Sequence, residues 1–322
     1  MNLNNMKILL IVDFLNWAWG IKAKALKKYL PQYDIDIVTI KNLPKTNVKR
    51  YDVIHSFSWT DTTLAGHRKL STCGISGHVF LARYQEAKSK IKMFSAATTT
   101  SKKLYALAKK HNLNKVIYNT PNGVDETFFY PKINKKKNDK FVIGWVGKET
   151  TGGFNKVPID FKGYGHVLQP LMRKLKNRKN IELRFVKNDF RNSISREAMI
   201  DFYQKLDLFI CTSYREGTPN PVFEASACGI PVISTDVGCI PELITNNHNG
   251  LIIPSYDNKN DIVEKNIINL FYKNIILLKE NNDLTRQMGE HNRETIERDW
   301  KWETRAKQWI PVFENHKRSR NA

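Results

Sequence analysis

The sequence predicts an α/β protein with two Rossmann-like domains whose parallel sheets face each other across a cleft. Three observations carry that expectation. Short apolar runs alternate with longer stretches of helical period along the whole chain, and strands joined by helices of this length build parallel sheets with right-handed crossovers. A lysine-dense, Pro-containing segment, "YPKINKKKNDK" (130–140), interrupts the alternation and has the composition of a linker. At 322 residues the chain is long enough for two cores. The expected division is a first domain over 1–135, a second over 136–300, and a C-terminal helix over 301–322 that packs back toward the first domain.

The elements follow from local pattern. "KILLIV" (7–12) is an apolar run that stops at Asp13 without a small-residue cleavage site, so it reads as a first strand and not as a signal peptide. In "GIKAKALKKYL" (20–30), Ile21, Ala25, Leu26, Tyr29 and Leu30 recur near the helical period. "DIDIVTI" (34–40), "YDVIHSF" (51–57) and "KVIYNT" (115–120) are strand candidates, and Ser101 is placed to cap a helix over "SKKLYALAKKH". Beyond the linker, strands are expected at 141–147, 181–186, 207–213, 231–235 and 250–254, with helices at 164–175 and 195–206 and a helical C-terminus.

Composition bounds the class. A hydrophobic fraction of 41% and a charged fraction of 26% are ordinary for a soluble globular protein, and no apolar run reaches the length of a membrane span. Cys73, Cys211, Cys228 and Cys239 form no C-x-x-C pair, which suits four small buried residues in a reducing compartment. The expected location is cytoplasmic, with peripheral attachment at the inner face of the membrane allowed by charge. The net charge is +21, and residues 1–140 hold 25 Lys and Arg against 9 Asp and Glu. Such a field attracts an anionic surface or polyanion, and compositional drift is the plain alternative.

The stretch "SYREGTPNPVFEASACGIPVIST" (213–235) sets two acids, Glu216 and Glu224, around a Gly/Pro turn. It leaves the carboxyl end of "DLFICTS", which is where ligands sit in open parallel sheets. Asn220 is the expected cap of a short helix with Pro221 at its first position, Gly229 closes it, and Pro231 prevents continuation. Gly217, Thr218 and Pro219 make a tight turn whose backbone can approach a ligand. A carboxylate accepts a forked pair of hydrogen bonds, which suits a vicinal diol. Pairing of Glu224 with a surface lysine and plain solvation of Glu216 is the equally weighted alternative on spacing alone.

The segment "EGTPNPVFEASACGIPVISTDVGCIPELITNNHNGLIIP" (216–254) resembles the donor-site signature of glycosyltransferase family 4, retaining enzymes of the GT-B fold. "TPNGVDETFFYP" (120–131), "IGWVGK…DFKGY" (143–164) and "RDWKWETRAKQWIPVF" (298–313) resemble that family's further segments in the right order. The resemblance implies that Glu224 binds the ribose hydroxyls of a nucleotide, with Gly217, Thr218, Pro219, Asn220 and Val222 lining the donor site. It implies that Glu216 contacts the transferred sugar, and that Lys148 and Lys162 neutralise the departing diphosphate. The family commonly has arginine where Lys148 stands, and the insertion before Lys162 leaves Lys156 as a rival for the clamp. Gly20, His55 and His78 are candidate acceptor-side residues, although a lone histidine is more often structural, and tryptophans flank Gly20 where the family often shows small residues.

The implied activity is transfer of a hexose from a nucleotide diphosphosugar to a hydroxyl of a glycan or glycolipid acceptor, in cell-surface polysaccharide or glycolipid synthesis. No cofactor and no metal are expected. The expected partners are the nucleotide sugar, a glycan or lipid-linked acceptor, and an anionic membrane surface met by the basic first domain through "KKYLPQYDI" and helix 102–110. Alternatives are a sugar-nucleotide epimerase on the same fold and a non-catalytic basic protein that binds nucleic acid or membrane. No recognition helix, zinc finger or RNP-like sequence supports nucleic acid, which is not an expected partner.

Overall fold

A computed structural model describes residues 6–60, 71–77, 83–133, 138–149, 160–187, 194–256 and 261–317. His78 and Lys156 lie outside the described residues. The chain divides into two compact units, Met1–Gly123 with Trp302–Ala322, and Val124–Lys301.

In the first unit, six parallel strands form one sheet in the order β2-β1-β3-β4-β5-β6. They are β1 (Lys7–Val12), β2 (Asp34–Thr39), β3 (Val53–Ser56), β4 (Thr72–Ile75), β5 (Ala96–Thr99) and β6 (Ile117–Asn119). The helices between them are α1 (Ala18–Tyr29), α2 (Tyr84–Ile91) and α3 (Lys102–Lys110). Alternation along β1 feeds both faces, as the period-2 geometry of a strand requires. Ile8, Leu10 and Val12 pack with Ala23 and Leu26 of α1. Leu9 and Ile11 pack with Leu104 and Ala108 of α3. The two helices therefore cover opposite faces of the sheet. Ser101 caps α3 by accepting the Leu104 N–H at 3.1 Å, as the sequence predicts.

In the second unit, five parallel strands run in the order β11-β10-β9-β7-β8. They are β7 (Phe141–Gly147), β8 (Ile181–Lys187), β9 (Leu208–Cys211), β10 (Val232–Thr235) and β11 (Gly250–Ile253). Helices α4 (Gln169–Leu175), α5 (Arg196–Gln204), α6 (Asn220–Ala227), α7 (Ile240–Leu243), α8 (Asp261–Glu280) and α9 (Asn282–Thr295) accompany them. Phe209 and Cys211 face one core beside Val222 and Tyr203, while Leu208 and Ile210 face the other beside Leu171 and Phe271. All four cysteines are buried thiols outside any disulfide.

Three details differ from the sequence reading. The first unit's main segment ends at Gly123, whereas the linker composition points to 135. Val124 and Phe129 enter the second unit's core, and the Val124 N–H donates to the Trp300 carbonyl at 2.9 Å. Burial of these apolar residues outweighs the linker-like lysines that follow. β4, with the segment "TCGI", escapes the sequence pattern because Thr72 and Gly74 leave no apolar run, whereas the equally short β9, "LFIC", is wholly apolar. Finally, α6 begins at Asn220 with Pro219 at its cap position, so Asn220 is the first helical residue rather than the cap.

The C-terminal segment belongs to the first unit. Short helices α10 (Trp302–Ala306) and α11 (Ile310–Glu314) carry Ala306, Trp309, Val312 and Phe313 into the α1 face of the first sheet. Trp309 is fully buried. Trp309→Ala is expected to cost about 3–5 kcal/mol, read as a lower denaturation midpoint; an unchanged midpoint would show that this segment does not seal the core.

Candidate donor site in the second unit

The site assembles at the carboxyl ends of β7, β9 and β10. β9 ends at Cys211 and runs into Thr212, Ser213 and the Glu216 loop, while its neighbour β7 ends at Gly147 and is followed by Lys148. Lys162 reaches the same place from the turn before α4. Its Cγ lies 3.3 Å from where a Cβ on Gly147 would stand, and the Trp145 ring lies nearer, at 2.6 Å, so the packed indole is what requires the bare glycine at the end of β7.

The Lys162 turn is held by its neighbours. Gly163 has φ +68, and a Cβ there would stand 2.2 Å from the Thr212 carbonyl oxygen. That conformation and that approach both require glycine. Thr212 donates its hydroxyl to the Lys162 carbonyl at 2.7 Å and accepts the Trp145 indole N–H at 3.0 Å. Tyr256 donates to the Thr212 carbonyl at 2.7 Å. Asp160 accepts the Tyr164 and Gly165 N–H groups at 2.8 and 2.7 Å, capping the helical turn that follows.

Lys162 and Glu216 form an ion pair, Nζ to Oε1 2.5 Å, with side chains 25% and 12% exposed. Ser213 donates to the same Oε1 at 2.8 Å. Burial depresses the Lys162 ammonium, but the Glu216 charge and hydrogen bond outweigh it, so its pKa stands above the ordinary lysine value and the group is a cation at neutral pH.

Glu224 occupies α6, one turn in. It is half-buried, and the Tyr203 hydroxyl donates to its Oε2 at 2.7 Å. Burial raises its carboxyl above the ordinary value of 4.5, opposed by the Tyr203 hydrogen bond and Arg196. The same burial, with Glu224 nearby, pushes the Cys228 thiol up to about 12.

The Gly217–Pro219 turn is braced from β10. Gly238 has φ +51, and a Cβ on it would meet the Gly217 carbonyl oxygen at 2.2 Å. The Cys239 N–H donates to that same carbonyl at 3.1 Å. Val222 is fully buried in the core of α6, a place that fixes the helix.

The structure thus brings Lys162 and Glu216 into contact, and sets Glu224 on the helix that the Glu216 loop enters. Lys148 is half-buried at the end of β7, and the adjoining Glu149 pairs with Lys187. Tyr203 and Ser213 are the partners that sequence reasoning missed. Tyr203 sits in "MIDFYQKL", where helical period explains it as core, and nothing in that pattern marks a hydroxyl aimed at an acid.

Gly20 and His55 lie in the first unit. A Cβ on Gly20 would stand 2.4 Å from the carbonyl oxygens of Phe14 and Leu15, so close packing of the β1–α1 loop accounts for this glycine. His55 is fully buried, with Nδ1 2.7 Å from the Thr72 hydroxyl oxygen and its ring edge-on to Phe57 and Trp309. Burial and the nearby Lys22 cation hold its pKa well below the ordinary value, so it is a neutral core histidine at pH 7. Among the described residues, no group of three or more His, Cys, Asp and Glu is arranged to hold a metal ion.

A raised carboxyl pKa in the folded state means that stability falls as pH climbs through and above 4.5, because the unfolded chain releases the proton first. Glu224→Gln is therefore expected to gain stability over the parent between pH 4.5 and 7, and equal melting at all pH values would contradict this. Tyr203→Phe removes the hydrogen bond that favours the charged form and should raise the Glu224 pKa further. Titration of the Glu224 carboxyl by NMR checks this, and an unmoved midpoint would refute it.

Comparison with known proteins bears on the family and the fold. The family model described as "Glycosyl transferases group 1" matches residues 126–295, just over half of the chain. The capsular polysaccharide biosynthesis glycosyltransferase CapM of Staphylococcus aureus is 25% identical over 217 residues, covering 59% of this chain and 52% of CapM. The chain spans about half the length of the curated relatives it matches. Among solved structures, sucrose-phosphate synthase from Thermosynechococcus elongatus superposes with a TM-score of 0.74 at 16% identity, covering 96% of this chain and 98% of that one. Anabaena Alr3699/HepE, solved in complex with UDP and glucose, gives a TM-score of 0.69 at 12% identity over 95% and 99% of the two chains. These neighbours share the GT-B fold with its two Rossmann-like parallel sheets, and on the family match the chain belongs to the group 1 glycosyltransferases.

Proposed function

We propose that this chain transfers a hexose, with retention of configuration, from a nucleotide diphosphosugar to a hydroxyl of a glycan or lipid-linked acceptor. The observation that carries the reading is the Lys162–Glu216 pair at the end of β9 with Glu224 one helical turn into α6. A UDP-sugar is the first donor to test, because the HepE structure holds UDP and glucose. Synthesis of a cell-surface polysaccharide is the reading that the CapM likeness supports.

The residues divide the work by chemistry. Glu224 accepts hydroxyls of the nucleotide ribose, and its Tyr203 bond fixes Oε2 so that the other oxygen faces the ligand. The backbone of Gly217, Thr218 and Pro219 approaches the sugar closely. Lys162 is a pre-placed cation; when the glycosidic bond breaks, negative charge grows on the diphosphate, and a cation already held out of water stabilises it with little reorganisation. Lys148, at the end of β7, supplies a second positive charge.

Glu216 has two tasks. It keeps Lys162 protonated and held without donor, and it presents a carboxylate to the transferred sugar, since both protein donors land on Oε1. Retention then follows from front-face attack, with the leaving phosphate taking the acceptor proton.

Thermal stabilisation by UDP-, GDP- and ADP-sugars tests the reading, because a ligand bound only by the folded state raises the melting point. One nucleotide class should stabilise the parent protein, and Glu224→Ala should abolish that shift while leaving the protein folded. An undiminished shift in Glu224→Ala would remove the ribose contact. Lys162→Ala should lower the transfer rate at saturating donor by at least tenfold, the scale of a lost charge at a developing anion; an unchanged rate would refute the clamp.

A further inference from the structure

Trp145 stands in β7 two residues before Gly147, in the setting of a core residue. It is 2% exposed and packs with Ile143, Leu171 and Ile210. A buried indole N–H needs an acceptor, and this one donates to the Thr212 hydroxyl at 3.0 Å. That hydroxyl donates in turn to the Lys162 carbonyl at 2.7 Å. The sense of both bonds is fixed, because an indole N–H only donates and a carbonyl oxygen only accepts. The single hydroxyl proton therefore points at Lys162.

The rest of Thr212 is equally constrained. The residue is fully buried, and Tyr256 donates to its carbonyl at 2.7 Å. The same carbonyl oxygen lies against Gly163, 2.2 Å from where a Cβ would stand. Trp145 also meets the far side of the Lys162 turn, with its ring centroid 5.6 Å from that of Tyr164. Its ring packs on Gly147 as well, the residue before Lys148. One side chain thus reaches the turn that carries Lys162 and the strand end that leads to Lys148.

Packing alone does not account for this arrangement, since an apolar ring would fill a core with no hydrogen bond to satisfy. The two anchors of Lys162 also differ in kind. Glu216 holds only the ammonium, on a side chain that is one quarter exposed. When that ammonium turns toward a diphosphate, the bond to Glu216 is shared or lost. The bond from Thr212 to the Lys162 backbone is untouched by the turn, and it keeps the lysine stem where it was.

We propose that Trp145 and Thr212 are positioning residues for the Lys162 cation: the indole orients the Thr212 hydroxyl, and the hydroxyl sets the backbone from which the ammonium reaches the diphosphate. Both are buried, so they act through Lys162 and not on the substrate. The inference rests on the transferase reading of the site. It adds that the cation is placed from the core of the sheet, at its backbone, and not by Glu216 alone.

Release of nucleoside diphosphate, measured with whichever of UDP-, GDP- and ADP-glucose raises the melting point most, tests it. Thr212→Val keeps the side-chain shape and removes the hydroxyl. It should lower kcat by about ten- to a hundredfold, the scale of a group misplaced by up to about 1 Å. KM for the donor should change little, because charge on the leaving diphosphate develops only as the bond breaks. Thr212→Ser should restore most of the rate. In a Lys162→Ala background, Thr212→Val should cause almost no further loss, because a residue that acts through Lys162 has nothing left to position. NMR reads the relay itself. The Trp145 indole N–H signal, assigned by its absence from Trp145→Phe, should move upfield in Thr212→Val and return in Thr212→Ser. All variants are compared below their melting transitions, and Thr212→Ala takes the place of Thr212→Val if the latter does not fold. An unchanged kcat in Thr212→Val, or the same fold loss with and without Lys162, would overturn the positioning role and leave the transferase reading standing. A parent chain that binds donor yet never releases nucleoside diphosphate overturns that reading, and the positioning role with it.

Discussion

One ion pair organises the second unit's chemistry: a lysine and a glutamate, largely withdrawn from water, that neutralise each other at the carboxyl end of β9. Neither charge is comfortable alone there, since breaking such a pair by removing one partner costs about 3–5 kcal/mol. The surrounding structure serves to hold it. Gly163 takes a left-handed turn over the Thr212 carbonyl, Thr212 binds the Lys162 backbone, and Ser213 adds a hydroxyl to the shared carboxylate oxygen. A cation held this firmly needs no rearrangement to meet an anion.

The second acid obeys the opposite rule. Glu224 has a hydroxyl partner in Tyr203 rather than a cation in contact, and burial works against its charge. A position optimised for stability alone would hold an amide or an apolar residue. Keeping a carboxylate there trades stability for an acceptor able to take two donors at once, a pattern common where proteins bind ligands.

Much of this was legible in the sequence, and the legible parts share a cause. Strands β1, β7, β8 and β9 are marked by apolar runs, and α6 by Pro221 and Gly229, because these residues constrain the backbone locally. Glu216 and Glu224 stood out through spacing and surrounding punctuation. What stayed hidden depends on distant pairing. Tyr203 reads as core until the sheet brings α5 beside α6, and the strand over Thr72–Ile75 has too few apolar residues to announce itself. The linker misled for a related reason: its lysines dominate the composition, yet Val124 and Phe129 decide which core the chain joins. The resemblance to a known family supplied the ribose, sugar and phosphate roles, which spacing alone could not.

The four cysteines carry a practical consequence. Each is shielded inside a core, and the Cys228 thiol is pushed so far up that almost no thiolate exists at neutral pH. Maleimide chemistry therefore finds little to react with on the native surface. A single cysteine added at an exposed site would accept a fluorophore or spin label almost exclusively, with every natural sulfur left in place.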